Sequence, residues 1–174
     1  VELCTDKKTG IYAPTIADAR TAKIFCCNKE NRYAITSGSI IDLEAYATVG
    51  GFNEDFFIDE VDNEYCVRLS KAGFGIKIIK DSFLFQEFGN DNIKHSFTGK
   101  AVNTYSAFRL YYQIRNRLWM LRLHFADLHW RYIVYSIVNV LMSRFVDIVL
   151  YEEEKGKKIK AYLRGLNDGL FGKI

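Results

Sequence analysis

The chain has 174 residues, 49% hydrophobic and 26% charged, with 12 glycines and one proline; this excludes a disordered, collagen-like or linker-type polymer and leaves a folded domain with an appended element. Aromatic residues make up 15%, enough for a packed core plus an aromatic binding or interfacial surface. The net charge of +3 is unevenly divided: residues 1–100 carry 12 basic and 15 acidic side chains, residues 101–125 four arginines and no acid, and residues 151–174 6 basic and 4 acidic groups. A basic, aromatic second part behind an acidic first part points to an anionic partner for the second.

In chain order, Ile24–Cys27 and Tyr33–Ile41 read as extended segments around the polar turn Asn28–Asn31. Asp42 is a good N-cap for a short helix from Leu43 to Val49, stopped by Gly50 and Gly51. A second helix is expected from about Glu60 to Ala72, because Val61, Tyr65, Leu69 and Ala72 recur at helical spacing and Gly73 suits the position after its end. Ile76–Ile79 and Ser82–Gln86 read as two short strands, and 91–104 as a polar loop. From Tyr105 the pattern is helical, with helices over 105–124, roughly 128–150, and 155–170 ending at Gly169 or Gly172. The class changes near residue 100, from α/β to all-α.

The cysteines, Cys4, Cys26, Cys27 and Cys66, include an adjacent pair and no C-x-x-C, so a zinc ribbon or disulfide ladder does not fit and a reducing cytoplasm does. The chain opens on Val1 and shows no signal-peptide pattern, and a piece of a longer protein is expected. His95, His124 and His129 form no ligand spacing and read as surface or interface residues.

The densest chemistry lies between Asn53 and Glu64, where there are six carboxylates and no base. Asp59, Glu60 and Asp62 at a helix start are favoured by the macrodipole, which explains part of the run as capping. It does not explain the apolar Phe56-Phe57-Ile58 inside it, a knuckle that could anchor an acid in a cleft. A calcium loop fails, since Phe57 and Ile58 fall at the fifth and sixth positions. A carboxylate pair for glycoside hydrolysis finds no support in spacing alone.

Several motifs together carry a resemblance: Ser37-Gly38-Ser39 before a helix, G-G-F-N-E-D-F-F from Gly50, C-V-R-L from Cys66, K-A-G-F from Lys71, Y-Y-Q-I-R-N-R from Tyr111 and K-A-Y-L-R-G-L-N-D-G-L from Lys160. With these the chain, from about Arg32 onward, resembles the acceptor half of family 2 glycosyltransferases of the GT-A fold, nearest to the rhamnosyltransferase-like group. The resemblance implies an α/β fold, a partial Rossmann-like acceptor subdomain with a mixed sheet over 1–100, and a C-terminal helical extension over 101–174. It implies inverting sugar transfer, with rhamnose as one donor sugar, in cell-surface polysaccharide synthesis. It places the general base at Asp62, with Asp59 as rival, and puts Glu64, as the second acid, and Arg68 among the substrate-binding residues. Val61 stands where such proteins usually carry glutamate. Ser37, Gly38 and Ser39 would line the sugar pocket, for which a plain turn is the alternative.

The same resemblance implies a nucleotide-sugar donor, a carbohydrate or polyprenyl-diphosphate-linked acceptor, and a divalent cation (Mg or Mn) in the intact enzyme. The sequence has no Asp-x-Asp and no glycine-rich phosphate loop, and Gln86 stands where relatives often place a metal-binding histidine. The expectation is therefore that this chain alone holds no metal, lacks the donor side and is inactive in isolation, with a surface prone to self-association.

On the helix over 105–124, Arg109, Gln113, Asn116 and Arg117 share one face, Leu110, Ile114, Leu118 and Leu121 form the core face, and Arg115 and Arg122 lie to a further side. A solvated basic face and a phosphate grip using Arg115 and Arg117 both fit. The uncharged run Tyr132–Ser143 is too short to span a bilayer. With its polar stripe of Ser136, Asn139, Ser143 and Asp147, this helix suits a homodimer or a membrane surface, here the inner face of the plasma membrane. Nucleic acid is a poor partner, because the larger part of the chain is acidic. The competing expectation is a non-enzymatic membrane-docking or dimerisation module.

Overall fold

The computed structural model describes residues 8–20, 22–25, 32–87, 93–95 and 101–173. They form a mixed α/β structure whose contacts divide into two units: Val1–Glu54 with Val61–Phe88, and Asp55–Glu60 with Gly89–Ile174.

The first unit is built on β1 (Thr9–Asp18), a strand not anticipated from the sequence. Its small residues and Pro14 disguise it, but it is buried almost throughout, as a central strand should be. β4 (Gly75–Gln86) pairs parallel along its length, while β2 (Ile24–Phe25) and β3 (Ile40–Ile41) pair antiparallel at Ile16–Ala17 and Ile11–Tyr12 respectively. Since β4 occupies one edge of β1 throughout, β2 and β3 share the other. Pro14, which has no N–H to give, sits where the β1–β4 register shifts. The two strands expected around residue 80 are thus one, joined through this irregularity. Of the extended segment expected over Tyr33–Ile41 only Ile40–Ile41 is strand. Cys26 and Cys27, at the end of the first expected strand, and the turn after it lie outside the described residues.

α1 (Leu43–Val49) follows Asp42, whose carboxylate accepts from Ala45 N at 2.8 Å, and ends at Gly50 with φ of 80°. α2 (Val61–Lys71) ends at Gly73, φ 88°, where Phe74 N donates to Leu69 O at 2.9 Å. A side chain at Gly10 would lie 2.8 Å from Leu69 Cδ2 and 3.2 Å from Ala45 Cβ, so this glycine lets both helices sit close on β1. The core is Ile11, Ala13, Ala34, Ala45, Tyr65, Cys66 and Leu69.

The second unit is helical apart from a two-stranded ladder, β5 (Ile93–His95) with β6 (Ala101–Asn103), in the stretch expected to be loop. α3 (Ala107–His124) is capped by Ser106, which accepts from Arg109 N at 3.2 Å. α4 (Trp130–Tyr135) runs through a π-helical stretch, Ser136–Met142, into α5 (Ser143–Tyr151). α6 (Lys155–Phe171) closes against α3. Leu110, Ile114, Leu118, Ile148 and Tyr162 make the core. Gly165 is needed there, because a Cβ would stand 2.8 Å from Tyr111 O.

Two expectations change here. His124 is buried rather than at the surface. The continuous helix Trp130–Tyr151 has 22 residues and is long and apolar enough, by length and composition, to cross a membrane, because the helix continues past the short uncharged run at both ends.

Candidate active site

In the first unit, Thr36 to Ser39 form a turn closed by Ser39 N donating to Thr36 O at 3.0 Å. Gly38 has φ of 70°, and a Cβ there would lie 3.3 Å from both Leu84 and Pro14, so the turn requires glycine. Ser39 Oγ donates to Ile35 O at 2.6 Å, while Ser37 is exposed. Asp62, in the first turn of α2, is half-buried, and its Oδ1 accepts from Thr36 Oγ1 at 2.6 Å. The expected base and the expected sugar-lining turn therefore meet through Thr36, a residue the sequence reading passed over. Its only signal was a hydroxyl directly ahead of the Ser-Gly-Ser run.

Two residues on, Glu64 is buried and takes Arg68 in a fork, with Arg68 Nε at 2.8 Å and Nη2 at 2.8 Å from its carboxylate. Arg68 also donates to the carbonyls of Val49 at 2.6 Å and Gly51 at 2.8 Å. The pair ties α2 to the end of α1, and this leaves both side chains with their polar groups engaged inside the protein.

The second unit holds the acid-rich loop 55–60. Phe57, Asp59 and Glu60 all have φ of 59°, the left-handed region, which costs about 1 kcal/mol or more per non-glycine residue and is sustained only by surrounding contacts. Those contacts come from α3. Asn116, fully buried, donates to the carbonyls of Phe56 at 2.7 Å and Ile58 at 2.6 Å. Arg115 donates to Asp55 O at 2.6 Å, with its guanidinium 4.0 Å from the Trp119 ring centroid. Arg117 pairs with Glu60, which also accepts from Tyr132 Oη. Arg109 reaches both oxygens of Asp59, at 3.3 and 3.1 Å, and that carboxylate raises the Arg109 pKa above its usual value. Arg115 and Arg117, read from sequence as solvated or phosphate-gripping, hold the backbone and acid of this loop. The signal for that was available in Asn116, a polar residue beside the apolar stripe.

Among the described residues no group of three His, Cys, Asp or Glu could hold a metal ion. Gln86 Oε1 is buried without a hydrogen-bond partner, and Gln86 pairs across the sheet with Asp18.

The chain is 29% identical over 173 residues to the dTDP-rhamnosyl transferase RfbF of Shigella flexneri, an alignment covering 98% of this chain and 54% of that protein. The chain thus spans about half the length of the curated relative it matches, a protein named for the kind of transfer that the motifs of this chain resemble. No family model matches the chain. No solved structure matches it.

Proposed function

We propose that this chain is the acceptor-side part of an inverting glycosyltransferase that moves a sugar, rhamnose from dTDP-rhamnose by analogy with the relative, onto a carbohydrate or lipid-linked acceptor in surface polysaccharide synthesis. The observation that carries this reading is the half-buried Asp62 carboxylate held by Thr36 beside the Ser37–Ser39 turn. A sugar hydroxyl is a poor nucleophile, and a positioned carboxylate must take its proton as attack begins. In this reading Thr36 fixes Oδ1 and leaves Oδ2 to accept that proton. The hydroxyl oxygen forms its bond to the anomeric carbon from the face opposite the leaving group. The bond from that carbon to the diphosphate breaks, and the nucleoside diphosphate departs with the electron pair, so configuration inverts. In this reading the hydroxyl of Ser37, an exposed residue, bonds sugar oxygens.

Asp59 is the weaker candidate, because Arg109 occupies both its oxygens. Glu64 and Arg68 serve this site by fixing α2. A divalent ion for the leaving diphosphate would belong to parts of the intact enzyme beyond the described residues. The proposed location is the cytoplasm, at the inner face of the membrane that carries lipid-linked acceptors.

The test is a transfer assay on the intact enzyme with a panel of nucleotide sugars. Asp62→Asn is expected to lower kcat by about 10²-fold or more with the melting temperature unchanged, as loss of a general base does. Normal turnover in that variant removes Asp62 from the role. A second reading, a membrane-docking or dimerisation module without catalysis, draws on the outer side of Trp130–Tyr151, where Val134, Ile137, Val138, Met142, Val146 and Leu150 are exposed. Failure of every nucleotide sugar in the assay, with vesicle or self-association intact, would favour it.

A further inference from the structure

α3 and α6 leave between them a cleft of about 390 Å³ that the proposed chemistry does not use. Its two walls differ in kind. α3 contributes Phe108, Tyr111 and Tyr112, at the i, i+3, i+4 spacing that puts them on one face. α6 contributes Lys157, Lys160 and Arg164, which repeat at i, i+3, i+7 on the facing side. Ala107 and Ala161 complete the lining, and their small side chains leave the depth open.

The aromatic wall is braced from behind. Phe108 packs edge-on against Tyr112, centroids 5.0 Å apart, and Phe57 of the acid-rich loop lies 5.1 Å from the same ring. No carboxylate lines the cleft. Lys157 is paired with the exposed Glu154, and Arg164 stands 3.6 Å from Asp168 while lying over the Tyr111 ring. Lys160 makes no ion pair among the described residues, so the wall keeps a net positive charge. Asn, Gln, Ser and Thr are absent from the lining, and the Tyr111 hydroxyl is already donated to Asp168 at 2.8 Å. The Tyr112 hydroxyl is the one remaining neutral polar side-chain group of the lining, and Arg115 and Arg164 lie over the Tyr111 ring. The lining offers cations to a compact anion and aromatic carbon to hydrocarbon.

We propose that this cleft binds an amphipathic phosphate, its phosphate or diphosphate on Lys157, Lys160 and Arg164 and its apolar chain along Phe108, Tyr111 and Tyr112. The chemistry is the same for a phospholipid head group and for a free prenyl phosphate. The binding does not depend on Asp62 and stands or falls apart from the transfer reaction.

The experiment uses the intact protein with geranyl diphosphate, inorganic pyrophosphate and thymidine diphosphate as soluble probes, and phosphatidylglycerol vesicles as the membrane probe. Geranyl diphosphate is expected to bind about tenfold or more tighter than pyrophosphate, since buried methylenes add affinity that a bare anion lacks. Lys160→Glu is expected to weaken it about tenfold by reversing a charge in the cleft. Lys155→Glu, the same charge change on α6 outside the lining, leaves it unaltered. Vesicle capture that Lys160→Glu abolishes identifies the head group as the source, and binding of geranyl diphosphate without capture identifies the soluble ester. Pyrophosphate or thymidine diphosphate binding as tightly as geranyl diphosphate, equal weakening by the two lysine variants, or no binding at all overturns the proposal.

Discussion

At the scale of single residues, the arrangement around Asp62 turns on one hydroxyl. Thr36 Oγ1 donates to Asp62 Oδ1 at 2.6 Å, which orients the carboxylate without covering its second oxygen. Removing that donor while keeping the side-chain shape should loosen the orientation and spare the fold. Thr36→Val is expected to lower kcat roughly tenfold or more in the intact enzyme, with the acceptor KM little changed, because small misplacements of a reacting group are costly. A fall in KM affinity alone would mean that Thr36 binds acceptor instead. A second residue-scale case is the Tyr111–Asp168 bond of 2.8 Å between α3 and α6. Donation from Tyr111, then from Asn167, holds the Asp168 carboxyl below its usual range. Burial, then the bond to Asp168, pushes the Tyr111 phenol above its own. A carboxyl with a depressed folded pKa contributes stability above its unfolded pKa of about 3.9 and loses it as pH falls through the folded value. Asp168→Asn should therefore have a lower urea midpoint than wild type at pH 7, and the gap should close on acidification below about pH 4. A gap that widens in acid contradicts the bond's assigned direction.

At the scale of elements, the acid-rich loop is left-handed at three non-glycine residues, and α3 is what holds it there. Asn116→Leu removes the side-chain donor that the carbonyls of Phe56, Ile58 and Asp59 share and should cost about 2 kcal/mol, read as a fall in the urea midpoint. The connection from α5 to α6 rests on a buried acid, Glu152, flanked by Arg144 and Lys158. Taking out the acid removes the carboxylate that two buried cations share, so Glu152→Gln is expected to cost about 3–5 kcal/mol. The α3–α6 contact depends on missing side chains. At Gly165 the helix-propensity gain of alanine, about 1 kcal/mol, is opposed by a methyl 2.8 Å from the Tyr111 carbonyl, a backbone atom with nowhere to go. Gly165→Ala should therefore lower the thermal midpoint, whereas Gly156→Ala, which meets nothing within 4 Å, should not.

At the scale of the whole molecule, exposed apolar side chains gather along Trp130–Tyr151. Along Trp130–Tyr151 the inward residues include Ser136, Arg144 and Ile148, while Phe145, Val146, Val149 and Leu150 face out. An exposed apolar face of this kind suits a partner surface. If that partner is a membrane, the intact protein should sediment with anionic vesicles at low salt and be released as salt rises. Salt-independent self-association in place of vesicle binding would assign the surface to a second copy.

Local chemistry was legible in the sequence wherever a residue acts on its near neighbours. Asp42 as a cap, Gly50 and Gly73 as stops, and the leucine stripe of α3 could all be read because capping and helical periodicity are short-range effects. The acid-rich segment and the Ser37–Ser39 turn were legible as separate motifs. Their meeting through Thr36 was not, since a hydrogen bond across 26 positions depends on where β1 and α2 place the chain. β1 itself was hidden, because a central strand of small residues with a proline has no alternating pattern to show. Likewise the arginines of α3 announced positive charge, but only packing decided that Arg109, Arg115 and Arg117 meet the acid-rich loop. Composition and spacing set which groups are available; burial and long-range contact selected which of them meet.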